Sequence, residues 1–197
     1  MKSLLINLIF AVIVQHCLAQ SRPIGGNTGI SMTNIVSADS SIFNYKFYNV
    51  KGELVTLNEY KGKIIFVDFW FTGCSACVGY YQENLKYVEK YYKGTNDVVF
   101  VSISIDRDSV KWLNTVENGF AIDKKGEHIL RQTDPNGINL RCLNGGDSPV
   151  NKGLNIYAYP TLMLFDKNGK LITRSKQKLR LDGIRGLIDS IDLALQK

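Results

Sequence analysis

The chain has 197 residues, 45% of them hydrophobic, and a formal net charge of +6. That length fits one domain with a sizeable core, and four cysteines are too few for a disulfide framework. The basic excess is spread along the chain rather than gathered with aromatics into a nucleic-acid surface, so no nucleic-acid partner is expected.

Residues 1–19 read as a secretory signal peptide. Lys2 is the charged start, Leu4 to Val14 is apolar, and Cys17-Leu18-Ala19 places small residues at the cleavage site before Gln20. The apolar run is short for a membrane span, and no second long one follows. The mature chain is therefore expected to be soluble and exported, to the periplasm or another extracytoplasmic space. It stays tethered to the membrane if the signal is not cut. An oxidising compartment suits redox-active thiols, and the mature chain keeps three: Cys74, Cys77 and Cys142.

Residues 20–42 are small and polar and read as a flexible lead-in to a domain at 43–197. Phe43 to Val50 and Glu53 to Leu57 alternate around Lys51-Gly52, which predicts a hairpin. Ile64 to Phe71 is an apolar run that predicts a buried strand, interrupted by Asp68. Thr72-Gly73 ends it. Cys74 and Cys77 follow where a helix begins, with Cys77, Tyr81, Leu85, Val88 and Tyr92 at helical spacing.

That placement points to chemistry. The first N–H groups of a helix are unpaired and favour a thiolate. Cys77, one turn on, is placed to attack a mixed disulfide formed at Cys74. Half of a zinc site is the plain alternative, but Cys142, His128, Cys17 and His16 supply no matching second pair. No metal is expected.

Val98 to Ile105 predicts a central strand, and Asp108 starts a helix carrying Val110, Leu113 and Val116 and closed by Gly119. Residues 121–153, broken by glycines and prolines, read as a loop-rich insertion with a strand and a short helix. Thr161 to Phe165 and Lys170 to Thr173 flank Asn168-Gly169, a strong hairpin signal. Arg174, Lys176, Lys178 and Arg180 form a basic cluster that reads as a solvated connector. Ile184, Leu187, Ile188, Ile191 and Leu195 share one face of a closing helix.

This order resembles the thioredoxin fold, and more closely the exported TlpA/ResA-like thiol–disulfide oxidoreductases. The markers are Leu57 to Lys63 before the first core strand, Asp68-Phe69-Trp70, the Cys74–Cys77 pair, Ser104-Ile105-Asp106, and Tyr159-Pro160-Thr161 before the Asn-Gly hairpin. The resemblance covers residues 43–195. It implies an α/β thioredoxin-like fold, a mixed sheet flanked by helices, with an N-terminal β-hairpin extension and an insertion before a cis proline.

It also implies roles. Cys74 is the attacking thiolate, Cys77 the resolving thiol, and the two form a disulfide. Pro160 makes a cis bond with Tyr159 facing the cysteines, and Tyr159, Pro160, Thr161 and Trp70 border the substrate. An ordinary trans turn is the alternative for Pro160, and a plain core aromatic for Trp70. Asp68, if buried, has a raised pKa and takes the proton of Cys77; if it ends the strand in solvent, it does not. No cofactor is implied, because the electrons reside on the cysteines. The implied partners are disulfide-containing exported proteins and a membrane electron donor, acting on a monomer.

The chain departs from thioredoxins at Gly73, where they have Trp, at Ser75-Ala76 between the cysteines, and at Val78 after them. Ser102 stands where they have a lysine. Fewer cations near the pair leave the redox potential open. Cys142 is expected buried or unpaired. A thiol peroxidase, a metal-binding module and a non-catalytic binding domain are the rival functions; Thr72 lies one residue too close to Cys74 for the peroxidase motif.

Overall fold

The computed structural model describes residues 41–121, 129–174 and 183–197. The expected signal peptide, His128, most of the lead-in and most of the basic cluster lie outside them. Strand β3 (Ile64–Trp70) organises the rest, and all seven of its residues are buried. It pairs in parallel with β4 (Val98–Ser104) and antiparallel with β8 (Thr161–Phe165). A strand covered on both faces must be apolar throughout, which is why Asp68 stands out within it.

Strands β1 (Phe47–Asn49) and β2 (Leu54–Val55) form the expected N-terminal hairpin. It is shorter than Phe43–Val50 and Glu53–Leu57, because Phe43 belongs instead to an N-terminal 3-10 turn at Ile42–Asn44, capped by the Ser41 hydroxyl. Two short strands, β5 (Phe120–Ala121) and β6 (Ile129–Leu130), pair only with each other. The main sheet is completed by β7 (Ile138–Cys142) and β9 (Leu171–Arg174), in the order β2-β1-β7-β4-β3-β8-β9. The insertion is thus less loop-like than its glycines suggest. Its β7 runs parallel to β4 and carries the hairpin on its other side.

The helical segment after the cysteines has three parts: α1 (Ser75–Tyr80), a π turn (Tyr81–Leu85) and α2 (Lys86–Tyr91). The predicted face is the buried one: Cys77, Tyr81, Leu85, Val88 and Tyr92 all point inward. Helix α3 (Ser109–Asn118) begins at Asp108, whose carboxylate accepts from Val110 N and Lys111 N, and closes at Gly119. Its inward face is Trp112, Thr115 and Val116; Val110, expected on that face, is 74% exposed. Two residues before Trp112 is about 200° around the helix, so the same stripe cannot hold both.

Helices α4 (Pro149–Gly153) and α5 (Gly183–Leu195) complete the fold. Leu187 and Ile191 of α5 are buried against β3, β8 and α2, with Ile184, Ile188 and Leu195 half-buried beside them. The opposite face of the sheet packs Ile65, Val67 and Phe69 against Phe47, Leu140, Cys142 and Leu154. Ile42, read as the end of the lead-in, belongs to this core, and its N–H bonds to Gly169 O at 3.0 Å. Gly169 has φ +74°, and a Cβ there would stand 2.5 Å from the Phe43 ring. The Asn-Gly turn therefore serves both the hairpin and the seat of the N-terminal turn.

Candidate active site

Alternation along β3 sends Asp68 and Trp70 to the face covered by α1, the π turn and α2. After Trp70 the chain must leave the sheet and start a helix within four residues. Gly73 makes the turn with φ +91°, a conformation that L side chains rarely adopt. Cys74 is then the N-cap of α1, and its Sγ accepts from Cys77 N at 3.1 Å. Cys74 and Cys77 form a disulfide, with their Cα atoms 5.2 Å apart. Both are nearly covered, at 5% and 1% exposure, by Trp70, Trp112 and Val116.

The loop between β3 and α1 is held from two sides. Asp106 accepts from Thr72 N at 3.0 Å, from Thr72 Oγ1 at 2.8 Å and from Ser104 Oγ at 2.6 Å. Gln132, 1% exposed, donates its Nε2 to Phe71 O at 3.0 Å and to Cys74 O at 3.3 Å. The Thr72 hydroxyl is thus committed to Asp106, and lies 3.1 Å from Thr115 Oγ1. It is not turned to Cys74 as a peroxidatic cysteine requires.

Asp68 is buried, at 2% exposure. Burial, and secondly the negative charge of Glu89, push its pKa up to about 8. The alternative of a solvent-facing strand end is excluded. The Tyr159–Pro160 bond is cis, and Tyr159 packs with the cysteine cluster. The Tyr159 ring meets Phe71 edge-on at 5.6 Å, and its hydroxyl accepts from Asn151 Nδ2 at 3.0 Å. Thr161 is wholly buried and its hydroxyl donates to Ala158 O, so its side chain supports the bend rather than facing outward. Trp70 is also wholly buried, against the disulfide.

Cys142 lies on β7, away from this cluster, in the core on the other face. It is unpaired and buried, and burial pushes its thiol up to about 12. Among the described residues no group of three or more His, Cys, Asp or Glu side chains is arranged to hold a metal ion.

The Redoxin family profile matches residues 34–183. The chain belongs to the Redoxin family. This redoxin is 25% identical over 140 residues to the thiol-disulfide oxidoreductase ResA of Bacillus thuringiensis subsp. konkukian, covering 68% of the chain and 66% of that protein. It therefore spans just under two thirds of that relative's length. A solved thiol-disulfide oxidoreductase from Bacteroides fragilis superposes with a TM-score of 0.57 at 21% identity, over 76% of this chain and 95% of the other. A protein from Bacteroides vulgatus, provisionally named a thiol-disulfide oxidoreductase, is 31% identical with a TM-score of 0.50, over 66% and 73% of the two chains. The thioredoxin-like fold and the TlpA/ResA-like resemblance read from the sequence both hold.

Four residues of the redoxin site escaped the sequence reading. Trp112 covers the disulfide, and its signal was the i, i+4 pair it makes with Val116. Asp106 was quoted only as a marker. Gln132 gave no signal, because its role depends on a loop folding back. Glu89, whose charge acts on Asp68, sat at i+4 from Leu85 on an otherwise apolar face.

Proposed function

We propose that this redoxin is an exported thiol–disulfide oxidoreductase that reduces or exchanges disulfides in extracytoplasmic proteins. The observation that carries the reading is the Cys74–Cys77 disulfide at the start of α1, with Cys74 Sγ accepting the N–H of Cys77. In the reduced protein that N–H stabilises a Cys74 thiolate over the thiol. The thiolate attacks a substrate sulfur, a mixed disulfide forms, and the substrate's other sulfur leaves as a thiolate that takes a proton from solvent. Cys77 then attacks Cys74 Sγ, passing its proton to Asp68. The mixed disulfide breaks, and the substrate sulfur held there leaves as a thiolate that takes a proton from solvent. The protein ends oxidised and the substrate carries two thiols.

The raised pKa of Asp68 supports its part. With a pKa of about 8 in the disulfide form, it holds a proton at neutral pH. In the reverse step, when a donor thiolate reopens the disulfide at Cys74, Asp68 gives that proton to the departing Cys77 thiolate. The cis Pro160, with the Tyr159 backbone, forms the edge on which an extended substrate segment lies. Trp70 and Trp112 keep water from the disulfide.

Export rests on the leader-like composition of residues 1–19. Among the described residues no helix is long and apolar enough to cross a membrane. A membrane-bound electron donor restores the dithiol form, and a monomer suffices because one chain carries both cysteines, the acid and Pro160. A redox titration from Gln20 onward in thiol buffers tests the reading, with alkylation and peptide mass spectrometry following each cysteine. A reversible Cys74–Cys77 couple within the span of related folds, about −270 to −120 mV, is the expected result. Failure to cycle, or retained metal on the pair, sinks it; turnover of hydrogen peroxide replaces it with the peroxidase.

A further inference from the structure

A buried acid that is the proton partner of Cys77 needs a route to water. Above its pKa of about 8 it loses its proton in the disulfide form and must regain one before it can give it to Cys77. Asp68 has no surface of its own to supply that route, at 2% exposure. Its Oδ1 has no hydrogen-bond partner, and neither has the hydroxyl of Ser102, the residue beside it on β4. Ser102 is 8% exposed and lines a cavity of about 130 Å³. The other polar walls are Glu89 from α2 and Thr133 and Asp134 from the segment before β7. Exposed Gly137 and half-buried Asp134 mark its mouth. Phe100 and Ile138 complete its walls. A cavity of this size with four polar side chains on it has room for several water molecules.

We propose that this cavity is the proton port of the site: Glu89 passes protons between Asp68 and solvent, through water held between Ser102 and the mouth. The inference rests on the reading of Asp68 as the proton partner of Cys77, and adds the route by which that proton leaves. When Cys77 attacks, its proton moves to the Asp68 carboxylate. Below pH 8 Asp68 keeps it for the return step. Above pH 8 Asp68 releases it through the cavity to the Glu89 carboxylate, and Glu89 releases it to water at the mouth. The disulfide-opening direction runs the same transfers backward.

The surrounding charges suit a relay. Glu89 is the charged group that acts on Asp68. Glu89 in turn is faced by Asp134 and by Tyr81, whose hydroxyl donates to it from the π turn, while Arg131 acts on Tyr81. Burial first, and then Asp134, bring Glu89 to about 7, against about 8 for Asp68. Transfer between them is therefore uphill by only about tenfold. An ordinary surface glutamate, near 4.3, would make it uphill by several thousandfold.

The test is stopped-flow reduction of the oxidised protein by dithiothreitol at pH 9, where Asp68 must take up a proton before it can give one to Cys77. The reference is pH 6, where it already carries one. Tryptophan fluorescence reads the rate for wild type, Glu89→Gln, Glu89→Ala, Asp68→Asn and the Glu89→Gln/Asp68→Asn double variant. The expected result at pH 9 is about a tenfold slowing in Glu89→Gln and no further slowing when it is added to Asp68→Asn. Acetate, small enough for the cavity, should restore Glu89→Ala severalfold, and Glu89→Asp should retain most of the rate. Unchanged Glu89→Gln rates overturn the port and leave Asp68 standing. So does slowing that acetate does not relieve, or that multiplies with Asp68→Asn, since either marks a merely structural effect. If Asp68→Asn itself is as fast as wild type, the reading of Asp68 falls and the port with it.

Discussion

Asp68 and Ser102 stand side by side on the parallel strands β3 and β4, both buried, and neither Asp68 Oδ1 nor the Ser102 hydroxyl has a hydrogen-bond partner. The fold thus keeps a carboxylic acid where a purely structural core would keep an apolar side chain. That arrangement costs stability once the acid ionises, and the cost has a sign that can be measured.

Asp68 has a folded-state pKa near 8, raised from an ordinary 3.8, so between those values the folded chain holds a proton that the unfolded chain has lost. Stability must fall as pH rises through this window. Glu89, raised to about 7, adds to the same slope. Asp68→Asn should flatten much of it and stabilise the oxidised protein by a few kcal/mol at pH 8, less at pH 5. Denaturant melts at the two pH values check this. Equal gains at both would mean that Asp68 is not protonated in the folded state.

The two cysteines should behave differently when removed singly. Cys77→Ser leaves the attacking thiol without its resolving partner, so mixed disulfides with substrate accumulate at Cys74. Cys74→Ser should form none, because Cys77 is 1% exposed behind Trp70 and Trp112. Non-reducing gels and peptide mass spectrometry distinguish them. Equal trapping by both variants would remove the division of labour.

Much of this was legible because the signals are local. The Cys74–Cys77 spacing, the Asn168-Gly169 turn and the Cys77 to Tyr92 stripe each depend on a few neighbouring residues, and the structure keeps them all. Strand β7 was blurred because Gly137 and Gly145 close around it and only five residues alternate between them. Its strand character comes from pairing with β1 and β4, residues far away in sequence. Gln132 and Glu89 illustrate the same limit. A glutamine that clamps Phe71 O and Cys74 O, and a glutamate whose charge acts on Asp68, acquire meaning only when distant segments meet.

Cys142 should be inert. It is buried in the core behind β7, and burial pushes its thiol up to about 12. Iodoacetamide should leave it unmodified in the native protein and label it after denaturation. Cys142→Ala should leave the Cys74–Cys77 potential unchanged. A shifted potential, or a disulfide involving Cys142 during cycling, would give the third thiol a redox part.

Asp106 is expected to set the position of the loop that carries Cys74. Its carboxylate takes hydrogen bonds from Thr72 N, Thr72 Oγ1 and Ser104 Oγ, all on or beside the turn out of β3 and β4. Hydrogen bonds to a charged group contribute about 1.5–3 kcal/mol each and are not additive. Asp106→Ala should therefore destabilise the oxidised protein by about 3 kcal/mol, and Asp106→Asn, which keeps one acceptor oxygen, by less. Thr72 N should lose protection from hydrogen exchange in Asp106→Ala while amides within β3 keep theirs. Because the loop also fixes Cys74 over Cys77 N, reaction of the reduced protein with a disulfide should slow along with the loss of protection. A variant that is destabilised but reacts at the wild-type rate would confine Asp106 to stability and leave the clamp on this side to Gln132.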